Sequence, residues 1–148
     1  MASDFARKLL IKHERVVSKC YDDGDGLPVV PGKVMKGHPT IGIGRALDTK
    51  GLSPMEINNL FENDLVDAEI ILGDIFGIEI FKESERRVAA LLSMAHNLGR
   101  SGLGKFVRMI EAVKKGDWQT AALEATASKW YVQVGSRGVE IVKLLEEA

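Results

Sequence analysis

Residues 15–52 are so rich in glycine, proline and β-branched residues that they can neither continue the helical pattern before them nor join the one after. That interruption dictates an α+β chain with a short helix, a small sheet, and helices to the end. Ser3 is placed to cap the first helix, and Phe5, Leu9, Leu10 and Ile11 supply its apolar face as far as Glu14. Residues 16–21, Val-Val-Ser-Lys-Cys-Tyr, favour a strand, and Asp22-Asp23-Gly24-Asp25-Gly26 a turn. A second extended run follows at Thr40-Ile41-Gly42-Ile43-Gly44-Arg45. Between them, Val29 to Met35 is expected to form a small extra hairpin around Pro31-Gly32.

From Ser53 the pattern is helical. Ser53-Pro54-Met55-Glu56 combines a capping serine, a proline at the first helical position and a glutamate placed for a capping box. Ile57, Leu60, Phe61, Leu65 and Ala68 continue at helical spacing, with Gly73 or Gly77 as the stop. Ser84 can cap a helix reaching Gly99, and further helices are expected over 104–115, 118–130 and 137–147. The 148 residues suit a single domain, 1–148, with the first helix and β lobe over 1–50 and a helical lobe over 51–148.

Composition narrows the function. No apolar run approaches the roughly 18–20 residues of a membrane span, and Met1-Ala2-Ser3-Asp4 lacks a signal-peptide layout. Cys20 stands alone, so no internal disulfide can form. Net charge is −1, and the acidic surplus falls in residues 51–99, with nine acids against three bases. No basic stripe interleaved with aromatics points to nucleic acid.

The candidates for chemistry are carboxyls. Glu14 lies one turn beyond Leu10, at the border of the apolar face, whereas Asp23 falls in a polar turn with Asp22 and Asp25 as alternatives. Two carboxyls in unlike surroundings are what acid/base cleavage of a glycosidic bond requires. Asp23 and Asp25 could begin a calcium loop, but Leu27 and Pro28 stand where further oxygen ligands belong. Gly99 to Lys105 fits the spacing of a phosphate loop, yet Phe106 replaces the hydroxyl residue and a helix, not a strand, precedes it. His13, His38 and His96 do not share metal-ligand spacing and read as surface or packing residues. Trp118, Trp130 and Tyr131 lie at helical spacings and read as core.

Glu14, then Asp23 after eight intervening residues, then the Thr40-Ile41-Gly42-Ile43-Gly44 string, resemble the phage-type (T4-like) lysozymes, the endolysin family. Leu92 to Gly99 is similar to that family's apolar helix ending in Phe-Asn-Val-Gly, and Ser128-Lys129-Trp130-Tyr131 to its Ser-Arg-Trp-Tyr run. The main departure is length, because sixteen residues, Gly24 to Pro39, stand where the family has far fewer.

The resemblance implies a lysozyme-like α+β fold with a cleft between a small β-hairpin lobe and a larger helical lobe. It implies a muramidase cleaving the β-1,4 bond between N-acetylmuramic acid and N-acetylglucosamine, with inversion. Glu14 would be the general acid, Asp23 would activate the attacking water, and Thr40 would hold that water. Asn97, and His96 where the family has an aromatic residue, would contact the sugar. No metal or other cofactor is implied. The expected partner is the peptidoglycan glycan strand, met by a monomer without stable membrane association. The expected route is accumulation in the bacterial cytoplasm and holin-dependent release to the wall for host lysis. A lytic transglycosylase, or a non-catalytic wall-binding or tail module on the same scaffold, are the alternatives. The Gly24–Pro39 insertion, carrying Lys33, Lys36 and His38, is expected to flank the cleft and affect substrate choice.

Overall fold

The computed structural model describes residues 2–147, which form two units, one extending to Ile57 and one beginning at Asn58. In the first, helix α1 (Asp4–Glu14) starts as expected from Ser3, whose hydroxyl accepts from the Ala6 N–H at 3.2 Å. The chain then enters an antiparallel sheet of β1 (Val17–Asp22), β2 (Pro39–Gly42) and β3 (Arg45–Ala46), in that spatial order. Tyr21 lies opposite Thr40 and Asp22 opposite Pro39, with an irregularity between Val17 and Tyr21.

The expected hairpin within 29–35 does not form. Residues 24–38 make an isolated bridge from Pro28 to Tyr21 and a turn closed by the Lys33 N–H on Val30 O at 3.1 Å. Two prolines in this stretch, Pro28 and Pro31, lack the N–H a ladder needs. Hydrogen bonds to an aspartate side chain, described below, take the place of a ladder.

Helix α2 (Pro54–Phe76) opens with the capping box read from the sequence. Ser53 N–H donates to Glu56 Oε2 at 2.8 Å, and Glu56 N–H donates to Ser53 Oγ at 3.3 Å. Glu56 also receives both terminal nitrogens of Arg45, at 3.0 and 2.6 Å, which fastens β3 to the first turn of α2. The paired Arg45, ahead of the Ser53 bonds, pulls the Glu56 carboxyl down to about 2 from an ordinary 4.5.

The second unit holds the apolar core. Gly77, not Gly73, ends α2, and a 3₁₀ turn (Ile78–Lys82) leads to α3 (Glu85–Gly104), capped by Ser84 and broken by non-helical backbone at Gly99. Then come α4 (Val107–Lys114), α5 (Trp118–Thr126), α6 (Lys129–Val134) and α7 (Ser136–Glu146). The expected single helix over 118–130 is two, because Ser128 takes extended backbone and its hydroxyl caps α6 by accepting from Tyr131 N–H at 3.2 Å. Leu72, Leu91, Met94, Leu103, Met109 and Leu145 are fully buried, and each such side chain stabilises by about 1.5–3 kcal/mol. Trp118 is buried beneath the Arg87 guanidinium, 4.5 Å from the ring centroid, and Trp130 packs edge-on to Phe106. Among the described residues no helix is long and apolar enough to cross a membrane.

The Glu56 carboxyl titrates lower in the folded chain than unfolded, so its contribution is complete above about 4.5 and disappears as pH falls toward about 2. Thermal melts of wild type and Glu56→Gln should therefore differ by several degrees near neutrality and converge in acid. A gap independent of pH would show that the charge on Glu56 is irrelevant to stability.

Candidate active site

The end of β1 and the turn after it carry three aspartates, and the structure gives each its own set of partners. Asp22 is fully buried (0% exposed), and its carboxylate accepts three main-chain N–H groups: Gly24 at 2.9 Å, Lys36 at 2.7 Å and Gly37 at 2.8 Å. Those bonds, the Lys36 one foremost, lower its pKa against the opposing effect of burial. Asp25 is held by Lys33 at 2.9 and 3.1 Å, and Lys33 in turn lies 3.7 Å from Asp22. The Lys33 hydrogen bond is the main cause of the lowered Asp25 pKa. Asp22 and Asp25 thus fasten the inserted loop, and the Lys33 ammonium is engaged inside it.

Asp23 is exposed. Its Oδ1 accepts the His38 N–H at 2.6 Å, while Oδ2 has no hydrogen-bond partner among the described residues. The loop crosses itself here at two glycines. A Cβ on Gly24 would lie 2.7 Å from the Gly37 nitrogen, and one on Gly37 would overlap both Asp23 Oδ1 and the Gly24 main chain. Side chains at either position would force the crossing apart and push the Asp23 carboxylate aside.

Thr40, 3% exposed, begins the run on β2. Its hydroxyl donates to the His38 carbonyl at 3.0 Å, and the same carbonyl accepts from Asp23 N–H at 3.1 Å. His38 therefore joins Asp23 and Thr40 through its main chain. Its ring Nδ1 lies 2.9 Å from Asp48 Oδ2, in the turn after β3. The sequence reading of His38, as a surface or packing residue of a loop affecting substrate choice, missed this. Its only signal was its place directly before Pro39-Thr40, because the bonds are made by backbone.

Glu14 is exposed at the end of α1, and its side chain lies over Gly44, where φ is +68°. A Cβ at Gly44 would stand 2.5 Å from Glu14 Oε2 and 2.8 Å from its Cδ. The next residue, Arg15, takes φ 62° and ψ 174°, a region that costs a non-glycine residue about 1–3 kcal/mol. Its N–H closes the helix on Ile11 O at 2.9 Å. Glu14 precedes β1 and Asp23 follows it, so the two carboxyls are anchored at opposite ends of a six-residue strand, roughly 20 Å long.

Asn97 and His96 belong to the second unit. Asn97 Oδ1 accepts the Trp130 indole N–H at 2.8 Å. Because indole only donates, this fixes the amide orientation and leaves the Asn97 NH₂ outward as donor. His96 is exposed and lines a recess of about 260 Å³ with Asp64, Asp67 and Gly99. A wider groove of about 750 Å³ is bordered by Trp130, Phe106, Lys105, Arg108, Lys129 and Glu124.

A helix delivering a glutamate, a small antiparallel sheet carrying aspartate and threonine, and a helical unit with its own core define a lysozyme-like α+β protein. The sequence matches the phage lysozyme family over residues 12–145, and the chain belongs to that family. It is 26% identical over 137 residues to the pre-baseplate central spike protein Gp5 of Enterobacteria phage T4, matching 74% of this chain but only 24% of that protein. It is 23% identical over 137 residues to a probable T4-type lysozyme 2 of Dictyostelium discoideum, matching 88% of this chain and 76% of that one. The chain thus spans about a quarter of the spike protein's length.

Two substitutions test this geometry. Asp22→Ala strands three N–H groups and should lower Tm by about 5–10 °C while exposing 24–39 to protease. An undigested loop would show that Asp22 is not its anchor. Gly44→Ala should displace the Glu14 carboxyl, seen as a shift of its side-chain carbon resonance, against a modest loss of Tm. An unmoved resonance would mean that Gly44 does not set the place of Glu14.

Proposed function

We propose that this protein is a peptidoglycan hydrolase, a muramidase that cleaves the β-1,4 bond from N-acetylmuramic acid to N-acetylglucosamine. The observation that carries this reading is the pairing, in a chain of the phage lysozyme family, of Glu14 over Gly44 with an Asp23 that keeps one carboxylate oxygen unengaged. Glu14, in its neutral form, gives its proton to the leaving sugar oxygen. Asp23 Oδ2 takes a proton from the attacking water. The Thr40 hydroxyl donates its hydrogen to His38 O, so it can meet the water only as acceptor of a hydrogen bond from the O–H that the water keeps. A water held by both hydrogens turns a lone pair toward the anomeric carbon. Water attack on the face opposite the leaving group, hence inversion, is the outcome that the likeness to the phage lysozymes implies for this pair.

The groove beside Trp130 supports the same substrate class, since Lys105, Arg108 and Lys129 outnumber Glu124 along it and suit an anionic wall polymer. The outward amide of Asn97 can donate to an N-acetyl carbonyl, with His96 on the neighbouring stretch of α3. The protein would act in phage or prophage lysis of a bacterial host. The similarity to a spike protein favours a second reading, in which this unit serves within a larger phage particle component, with or without chemistry.

Digestion of purified Gram-negative peptidoglycan, with products separated and weighed, tests the proposal. Hydrated reducing ends from wild type and a loss of at least about a thousandfold in Glu14→Gln are expected. Anhydro ends would instead identify a transglycosylase. No soluble product from folded wild type would leave the structural-module reading in possession.

A further inference from the structure

The structure assigns His38 and Asp48 the part of positioning residues for the reaction, holding Asp23 and Thr40 in register through the main chain of His38. This rests on the hydrolytic reading of the site. Three hydrogen bonds meet on the His38 backbone: its N–H to Asp23 Oδ1, and its carbonyl from Asp23 N–H and from the Thr40 hydroxyl. A shift of that one peptide moves both groups proposed to handle the water. The peptide stands at the far end of the sixteen-residue segment between Asp23 and Thr40, where it would drift with the loop unless held on both sides. The buried Asp22 carboxylate holds it from upstream, through Lys36 and Gly37 N–H. The ring holds it from the other side, through Asp48, whose Oδ1 is itself fixed by Thr49 N–H at 2.8 Å.

Stability does not account for the ring pair. His38 and Asp48 side chains are 51% and 44% exposed, and exposed ion pairs contribute little to global folding. Their geometric effect falls on Asp23 and Thr40. The charged groups facing the ring are Asp48 from the turn after β3, Asp23 from the turn after β1 and Asp22 from the last position of β1. Led by the hydrogen bond that the ring donates to Asp48, they raise the His38 pKa above its ordinary 6.5, and the Asp48 pKa is lowered in return. The charged tether is therefore complete below about 6.5 for as long as Asp48 stays ionised, and it weakens as pH rises through the raised His38 value.

The test compares initial rates of wild type, Asp48→Asn, His38→Ala, His38→Gln and the Asp48→Asn/His38→Ala double variant on purified peptidoglycan across pH. Alongside, it follows hydrogen exchange at the residue 38 amide. We expect kcat of Asp48→Asn and of His38→Ala to fall about five- to fiftyfold near pH 6, with KM within about twofold. The double variant should be no slower than the singles, and glutamine, which keeps a donor, should recover part of the rate. The ratio of wild-type to Asp48→Asn rates cancels pH effects common to both proteins and should shrink as pH rises above 6.5. The residue 38 amide should exchange at least about tenfold faster in Asp48→Asn. Single variants with wild-type kcat, or slowed variants whose residue 38 amide exchanges as in wild type, would overturn the positioning role. A wild type that releases no product, or a Glu14→Gln that remains active, would instead overturn the hydrolytic reading beneath it.

Discussion

The carboxylate of Asp22 organises the half of the chain that carries the proposed chemistry. Every buried apolar side chain among the described residues lies at or beyond Ala68, whereas the first unit buries only Asp22 and Thr40. That unit cannot rest on a hydrophobic core. It rests on a buried acceptor whose desolvation is offset by three N–H donors and a nearby ammonium. The bonds reach fifteen residues along the chain, from Asp22 to Gly37, and convert a long insertion into a closed loop. Without them the end of the loop at His38 would have no fixed relation to the turn at Asp23.

The consequence is a site built from backbone. Asp23 and Thr40 are placed by one peptide group, and Glu14 by a glycine that leaves room for it. Such contacts tolerate little displacement, because neither a main-chain N–H nor a glycine α-carbon can change rotamer to follow its partner. The strained backbone at Arg15, immediately after Glu14, has the same meaning. The chain turns sharply into β1 at a residue that opposes the turn, and the Ile11 hydrogen bond together with the sheet register holds it there.

The sequence disclosed the pieces that depend on local chemistry. Ser3, Ser53, Ser84 and Asp117 each cap the helix they precede, and the strand at 17–22 and the turn after it follow from composition. It did not disclose the loop. Pro31-Gly32 suggested a hairpin, whereas the segment is governed by an aspartate fourteen and fifteen residues upstream, and no local periodicity records that. Ser128 was legible as a cap only if the preceding helix was allowed to stop at Thr126. Of the candidate site, the residue types and spacing of Glu14, Asp23 and Thr40 could be read. The linking role of His38 could not, since any residue other than proline can make those main-chain bonds and only its ring meets Asp48.

The two units also answer differently to acid. Asp22, Asp25, Asp48 and Glu56, all with lowered pKa values, lie in the first unit; Asp117, lowered by its cap to Thr120, lies in the second. Each such carboxylate withdraws its contribution as pH falls, whereas burial of leucine, methionine and tryptophan carries no proton. Acid therefore loosens the polar unit while the helical core persists. The first contacts to go are those on which the loop, β3 and the His38 tether depend. A fold with its apolar surface gathered in one unit and its ionised acceptors in the other sets its acid limit at the site itself, before the rest of the chain has reason to unfold.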